Sequence, residues 1–265
     1  PLELISSFGA FSNEGIHVEP IAILRVEDKN GRIIIENKPD QWAAISPQVA
    51  FMMTDMLRSV VTEGTGHRLA NFPYPVAGKT GTTSDDVDTW WVGYTPYYAG
   101  TVWMGHDEPT TMRNVAGGYQ PALMWKQIME VAHQGLEKKT FQKPDGIVGP
   151  IEVCTVSGKL PGELCSRDPR GSMLRKEYFI KGTEPKETCD IHVEEVIDTS
   201  TGLLATSYCP FELMDSQVFI RRKVPYETAP NGQKPLDAKY EAPTEVCDVH
   251  EFPSLPLPDP EGEGD

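Results

Sequence analysis

Lys79 stands in the run Gly78-Lys79-Thr80-Gly81-Thr82-Thr83, where residue types and spacing could do chemistry. On a β-strand successive side chains alternate between faces, so Thr80 and Thr82 share one. Two hydroxyls beside an ammonium suit the capture of a carboxylate through charge-assisted hydrogen bonds. Gly78 and Gly81 leave room for another backbone or a ligand to come close. At a sheet edge, the amide of Thr82 could also donate to a developing oxyanion. The five cysteines are the second group: Cys154, Cys165, Cys189, Cys209 and Cys247, all in the second half of the chain.

Those cysteines belong to a degenerate duplication. Gly158 precedes Cys165 by seven residues, and Gly202 precedes Cys209 by the same seven. Each copy continues to Phe-Ile and a basic residue (Phe179-Ile180-Lys181, Phe219-Ile220-Arg221) and then to Pro185 or Pro225. Each closes on Cys-Asp-x-His, at Cys189–His192 and Cys247–His250. Zinc could be held by such residues, but one Cys plus a Cys-x-x-His gives only three ligands per copy. Free thiols are a second possibility. Disulfides Cys165–Cys189 and Cys209–Cys247 are the expected state, because they staple small modules that lack a large core. Cys154 is then left over, aligned with Asp198 in the second copy. No metal is assigned.

The elements that must position Lys79 are legible. Leu2–Ser12 carries a helical stripe that Asn13-Glu14-Gly15 stops. Ile21–Val26 and Arg32–Glu36 flank Asn30-Gly31, a hairpin signal. Ser46-Pro47 reads as an N-cap with proline at the first helical position. The stripe Val49, Met52, Met53, Met56, Leu57, Val60 follows, ending at the turn Gly64-Thr65-Gly66. Strands are expected over Val76–Thr83, Thr89–Tyr94 and Tyr98–His106 as an antiparallel meander. Pro121 opens a last helix with Leu123, Met124, Ile128, Val131 and Leu136 toward one face.

The predicted fold class is therefore α+β, helices packed on an antiparallel sheet, followed by small β-rich modules and a tail. The expected boundaries are 1–143 for the core-forming domain, 144–195 and 196–250 for the two Cys-bearing copies, and 251–265 for an acidic, Pro-rich disordered tail. Trp90, Trp91 and Trp103 read as strand packing. Asp85, Asp86 and Asp88 read as a solvated turn rather than a metal cluster. His67, His106 and His133 have no partner implied.

Charge narrows the classes of function. With 24 Lys+Arg against 39 Asp+Glu the formal charge is −15, which argues against a phosphate-tracking nucleic-acid binder. Residues 1–143 carry −4 of it and residues 144–265 carry −11. No apolar run is long enough to span a bilayer, and there is no signal peptide. Because the sequence starts at Pro1 rather than Met, we read it as a piece of a longer protein whose anchor lies elsewhere.

The ordered motifs resemble class A penicillin-binding proteins, which join a peptidoglycan glycosyltransferase to a transpeptidase. The matching residues are Pro1-Leu2-Glu3-Leu4 with Phe11-Ser12-Asn13, Gly15 and Pro20, then Met53-Thr54-Asp55-Met56-Leu57, Gly64-Thr65-Gly66 and Ala77–Thr83. They continue through Asp88, Trp91-Val92-Gly93-Tyr94-Thr95-Pro96, Val102-Trp103-Met104-Gly105 and Asp107. Lys-Thr-Gly is the third signature of that group and of the active-serine β-lactamases. The resemblance implies serine acyl transfer from D-Ala-D-Ala stem peptides, with β-lactams as mimics of the donor. It implies Lys79 and Thr82 as catalytic residues, and Lys79, Thr80, Gly81, Thr82 and Thr83 as the substrate-binding run. It implies no cofactor and no nucleic-acid partner. It places the parent on the extracytoplasmic face of a bacterial membrane, with the membrane reached only through an anchor outside this sequence.

One departure matters. The family nucleophile sits in Ser-x-x-Lys with a Ser-x-Asn after it, and no serine here has Lys three or Asn two residues later. The nearest mimic, Thr183-Glu184-Pro185-Lys186, lies in the Cys-bearing half. Both missing motifs precede Pro-Leu-Glu-Leu in the family, so truncation is the expected reason, and the chain is expected to be inactive alone. The alternative is a non-catalytic protein of the cell wall, with the repeats binding peptidoglycan or wall proteins.

Overall fold

The structure, a computed structural model, describes residues 1–222 and 232–250. The expected tail over 251–265 and Pro225 lie outside the described residues. The chain divides into two compact units, Pro1–Val148 with Tyr178–Gly182, and Gly149–Glu177 with Thr183–Asp265.

The first unit begins with α1 (Leu2–Ser12), within the bounds its stripe predicts. Strands β1 (Ile16–Val18) and β4 (Gln41–Ala43) pair antiparallel, and His17 stacks on Trp42 across the pair at 4.3 Å. Between them β2 (Arg25–Glu27) and β3 (Ile33–Glu36) form the Asn-Gly hairpin. Asp28 closes it, its carboxylate accepting from the amides of Asn30 and Arg32 at 2.8 and 3.0 Å.

Helix α2 (Pro47–Thr62) starts as its sequence dictates. Ser46 Oγ accepts from the Val49 amide at 3.2 Å, and Pro47 fills a position whose N–H would be unsatisfied. The buried face differs from the expected stripe. Ala50, Thr54, Leu57 and Val61 point inward, while Val49 and Met56 are exposed. The same shift occurs on α3 (Gln120–Ala132). Its inner face is Pro121, Ala122, Trp125 and Met129, and Met124, Ile128 and Val131 are exposed. Leu136 lies beyond its end. Both helices carry apolar residues around much of their circumference, so hydrophobicity alone does not choose the face. The shape of the neighbouring surface does.

Strands β5 (Ala77–Thr82), β6 (Asp88–Tyr94) and β7 (Ala99–Gly105) form the expected meander in the order β5-β6-β7. One face of this sheet packs a cluster of Trp91, Trp125, Val61, Leu69, Phe72, Val76, Ala122 and Met129. Leu57, Ala77 and Tyr94 form a second cluster with Phe8, Phe11 and Phe141. Trp91 and Trp125 are essentially inaccessible and meet edge to face at 6.2 Å. Burying a large apolar side chain contributes about 1.5–3 kcal/mol, so this cluster dominates the local balance. His133 is a satisfied core residue, bonded to Thr95 Oγ1 at 2.8 Å and the Met129 carbonyl at 2.7 Å. Among the described residues, no helix is long and apolar enough to cross a membrane.

The second unit is built from paired strands. β8 (Ile147–Cys154) pairs with β9 (Leu174–Ile180), and β10 (His192–Asp198) pairs antiparallel with β11 (Met214–Ile220). The division between units falls within β8 and β9.

The duplication extends to the backbone hydrogen bonds. Cys154 N donates to Lys159 O, and Asp198 N to Leu203 O, both at 2.9 Å. Gly158 N donates to Cys154 O at 2.8 Å, and Gly202 N to Asp198 O at 2.7 Å. Cys189 N donates to Leu160 O, and Cys247 N to Leu204 O. Cys154 and Asp198 are thus equivalent in structure as well as in alignment.

Candidate active site

Lys79 sits on β5, and the ladder shows which way its neighbours' amides point. The Thr83 amide donates to the Asp88 carbonyl at 3.1 Å, and the Thr95 amide to the Tyr98 carbonyl at 2.8 Å. Hydrogen-bonded and non-bonded pairs alternate along an antiparallel ladder. By the register, Gly81↔Trp90 and Lys79↔Val92 are bonded pairs, whereas Thr80↔Trp91 and Thr82↔Thr89 are not. The Thr80 and Thr82 amides therefore point away from β6. That side of β5 is an edge, with no other strand paired to it among the described residues. Lys79 Nζ donates to the Thr80 carbonyl at 2.9 Å, holding the ammonium at the same edge.

Gly78 has a structural task rather than a ligand-facing one. A Cβ there would lie 2.5 Å from the Trp91 ring and 2.6 Å from the Val92 carbonyl. Only glycine lets β5 lie against the buried indole. The Thr83 hydroxyl is occupied in the turn, accepting from the Asp88 amide at 2.9 Å. Asp88 in turn accepts from Trp103 Nε1 at 2.8 Å, so it braces the β6–β7 ribbon. Thr82 and Lys79 are exposed, and Thr80 is half-buried.

Two neighbours of this edge are not picked out by the motif itself. Thr65, in the turn that ends α2, shares a hydrogen bond with Thr80, Oγ1 to Oγ1 at 2.9 Å. Gly118 passes so near this turn that a Cβ on it would lie 2.0 Å from the Thr65 carbonyl. The turn reading of Gly64-Thr65-Gly66 is sound, since the Gly66 amide donates to Val60 O at 2.8 Å. Its contact with Thr80 is a tertiary fact. The Gly117-Gly118 pair is visible in the sequence as a breaker, but nothing local says what it approaches.

The cysteines are arranged otherwise than expected. All five are free, and neither Cys165–Cys189 nor Cys209–Cys247 is bonded. Cys154 is not left over, because it joins Cys165, Cys189 and His192 in one buried cluster. Burial pushes the Cys165 thiol up to about 12. At Cys189 the same burial is outweighed by hydrogen bonds from Ser157, from His192 and from the His192 and Ile191 amides, and its thiol falls to about 6.

A helix-flanked antiparallel sheet with Lys-Thr-Gly on its edge strand is the form of a transpeptidase domain, and the comparisons agree. The penicillin-binding protein transpeptidase domain family matches residues 1–130, and the penicillin-binding protein 1A C-terminal domain family matches residues 143–194. The chain belongs to the penicillin-binding proteins, as a 1A-type transpeptidase segment with part of the region that follows it. It is 42% identical over 224 residues to penicillin-binding protein 1A of Clostridium botulinum (strain Langeland), covering 84% of this chain and 27% of that one. It is 34% identical over 191 residues to the Aquifex aeolicus protein of the same name, covering 71% and 25%. Among solved structures it is similar to penicillin-binding protein 1A from Haemophilus influenzae, with a TM-score of 0.61 and 25% identity over 71% of this chain and 33% of that one. The chain thus spans about a quarter of the length of the curated relatives it matches.

Proposed function

We propose that this chain carries the carboxylate-binding and oxyanion side of a serine-type D-Ala-D-Ala transpeptidase site. The observation that supports it most is the outward-pointing Thr82 amide beside Lys79 on the open edge of β5, within the segment matching the transpeptidase family.

In this reading the stem peptide, or a β-lactam in its place, lies along that edge with its terminal carboxylate toward Lys79, Thr80 and Thr82. Charge-assisted hydrogen bonds hold the carboxylate. A serine hydroxyl from sequence outside this chain attacks the penultimate D-Ala carbonyl, and its proton passes to a base. As the tetrahedral oxyanion forms, the Thr82 amide donates to it. Loss of one such donor typically costs about 100-fold or more in rate. The carbon–nitrogen bond then breaks, and terminal D-Ala leaves with a proton on its amine. An acceptor amine from a neighbouring stem peptide resolves the ester and regenerates the serine. Lys79 supplies positive charge near the carboxylate and helps proton movement there. Because the donor is cell-wall peptide, the site works on the extracytoplasmic face of the membrane.

The test is acylation by a fluorescent β-lactam. This chain alone should not be labelled, since it holds no Ser-x-x-Lys. A longer protein that adds an upstream Ser-x-x-Lys should be. Lys79→Ala in that longer protein should slow acylation about 100-fold or more, with no loss of folded protein because Lys79 is exposed. Undiminished labelling of the variant would remove Lys79 from the site. A natural parent without Ser-x-x-Lys would favour the non-catalytic, wall-associated reading.

A further inference from the structure

We propose that the second unit holds two structural zinc ions, one in each copy of the repeat. The first is bound by Cys154, Cys165, Cys189 and His192, and the second by Asp198, Cys209, Cys247 and His250. In each set one ligand atom from every residue lies within 4.8 Å of all the others.

Geometry carries the first site. The three sulfurs surround one nitrogen: His192 Nδ1 lies 3.7 Å from Cys154 Sγ, 3.5 Å from Cys165 Sγ and 3.4 Å from Cys189 Sγ. With Zn–S near 2.3 Å and Zn–N near 2.0–2.1 Å, a tetrahedral ion places sulfur and nitrogen about 3.5–3.6 Å apart. The observed distances bracket that edge. A disulfide would use two of the three sulfurs and leave the third, with a buried imidazole, unaccounted for.

The surroundings fit a ligated histidine. His192 Nε2 is 2.8 Å from Asp168 Oδ2, and both side chains are buried. Arg170 grips the same carboxylate through two nitrogens at 2.7 and 2.8 Å. A carboxylate accepting from the far nitrogen fixes the tautomer and turns the other nitrogen's lone pair toward the metal. That lone pair faces three sulfurs, an arrangement a cation stabilises. The Gly162 amide donates to Cys165 Sγ at 3.3 Å, which favours a thiolate.

The second site repeats the plan with one change. The Thr206 amide donates to Cys209 Sγ at the same 3.3 Å. Cys247 Sγ is 3.4 Å from His250 Nδ1 and 3.6 Å from Asp198 Oδ2, again near tetrahedral edges. His250 Nδ1 and Asp198 Oδ2 stand at hydrogen-bond distance, 2.7 Å, and must part to about 3.4 Å around an ion. The substitution itself is informative. An aspartate equivalent to Cys154 preserves a zinc ligand, and the fourth position is occupied in both copies. Four protein donors leave no open position, so both sites are structural rather than catalytic.

Elemental analysis of the full chain, freed of loose metal, tests this. About two zinc ions per chain are expected. After removal of zinc under reducing conditions, titration with Co2+ should restore sulfur-to-cobalt absorption with an end point near two equivalents. Cys154→Ser and Asp198→Asn should each lower that end point to about one. No metal uptake, with Cys165–Cys189 and Cys209–Cys247 found oxidised by mass spectrometry in the unmutated chain, would overturn the proposal. An end point of one equivalent, lost in Cys154→Ser and unchanged in Asp198→Asn, would overturn the second site. The stoichiometry of the unmutated chain stands even if a variant fails to fold.

Discussion

Tyr94 shows how one buried group ties stability to pH. Its ring is inaccessible, and its hydroxyl shares a 2.9 Å hydrogen bond with Thr54 Oγ1. Burial disfavours the phenolate and raises the group well above its ordinary value of 10.0, and the Thr54 bond only partly opposes that. The folded state therefore holds the proton more tightly than the unfolded state. The stabilisation is complete below about pH 10 and is lost as the pH rises from there. Unfolding free energy from denaturant titrations should fall by up to about 1.4 kcal/mol per pH unit above that point. Tyr94→Phe should flatten this limb relative to the parent. An equally steep limb in the variant would assign the slope to other groups. The proposed site residues follow the same logic of context. Lys79 and Thr82 are recognisable from type and spacing, but the direction of the Thr82 amide depends on register with β6.

Secondary structure was largely readable because its signals are local. Ser46-Pro47 names the start of α2, and the hydroxyl does cap the Val49 amide. Ser46→Ala should cost about 1 kcal/mol in chemical denaturation, while Ser46→Asn should keep most of the stability. Equal losses in both would show that the cap is not what the serine contributes. Helix faces were less readable. Met124, Ile128 and Val131 make as good an apolar stripe as Ala122, Trp125 and Met129, yet only the second set is buried. The reason is packing. Trp125 fits beside Trp91 and bonds the Gly100 carbonyl at 3.0 Å, contacts that no periodicity encodes.

At the scale of the molecule, the two units carry different chemistry and different reporters. All five tryptophans are Trp42, Trp90, Trp91, Trp103 and Trp125, within the first unit. All five cysteines are in the second. If zinc stabilises only the second unit, a chelator should speed proteolysis within residues 149–222 and leave tryptophan emission unchanged. A red shift of emission on chelation would show instead that the first unit depends on the metal. Strand β10 joins the two proposed sites, since His192 opens it and Asp198 closes it. Losing one site is therefore expected to loosen the strand that supports the other.

By itself the sequence determined the class of fold, the meander bearing Lys-Thr-Gly, the hairpin, the capped helix and the twofold repeat. These follow from propensity, period and short motifs, which act over a few residues. It also showed that no Ser-x-x-Lys lies in this chain. Tertiary structure alone decided which apolar face is buried, that Thr65 meets Thr80, and that Cys154 belongs with Cys165, Cys189 and His192. Cys154 and His192 are 38 residues apart in the chain yet 3.7 Å apart in space. Counting only the single Cys and the Cys-x-x-His of each copy finds three ligands, because the fourth, Cys154 or Asp198, stands at the end of the strand that opens the copy. Only folding brings that end back to the others.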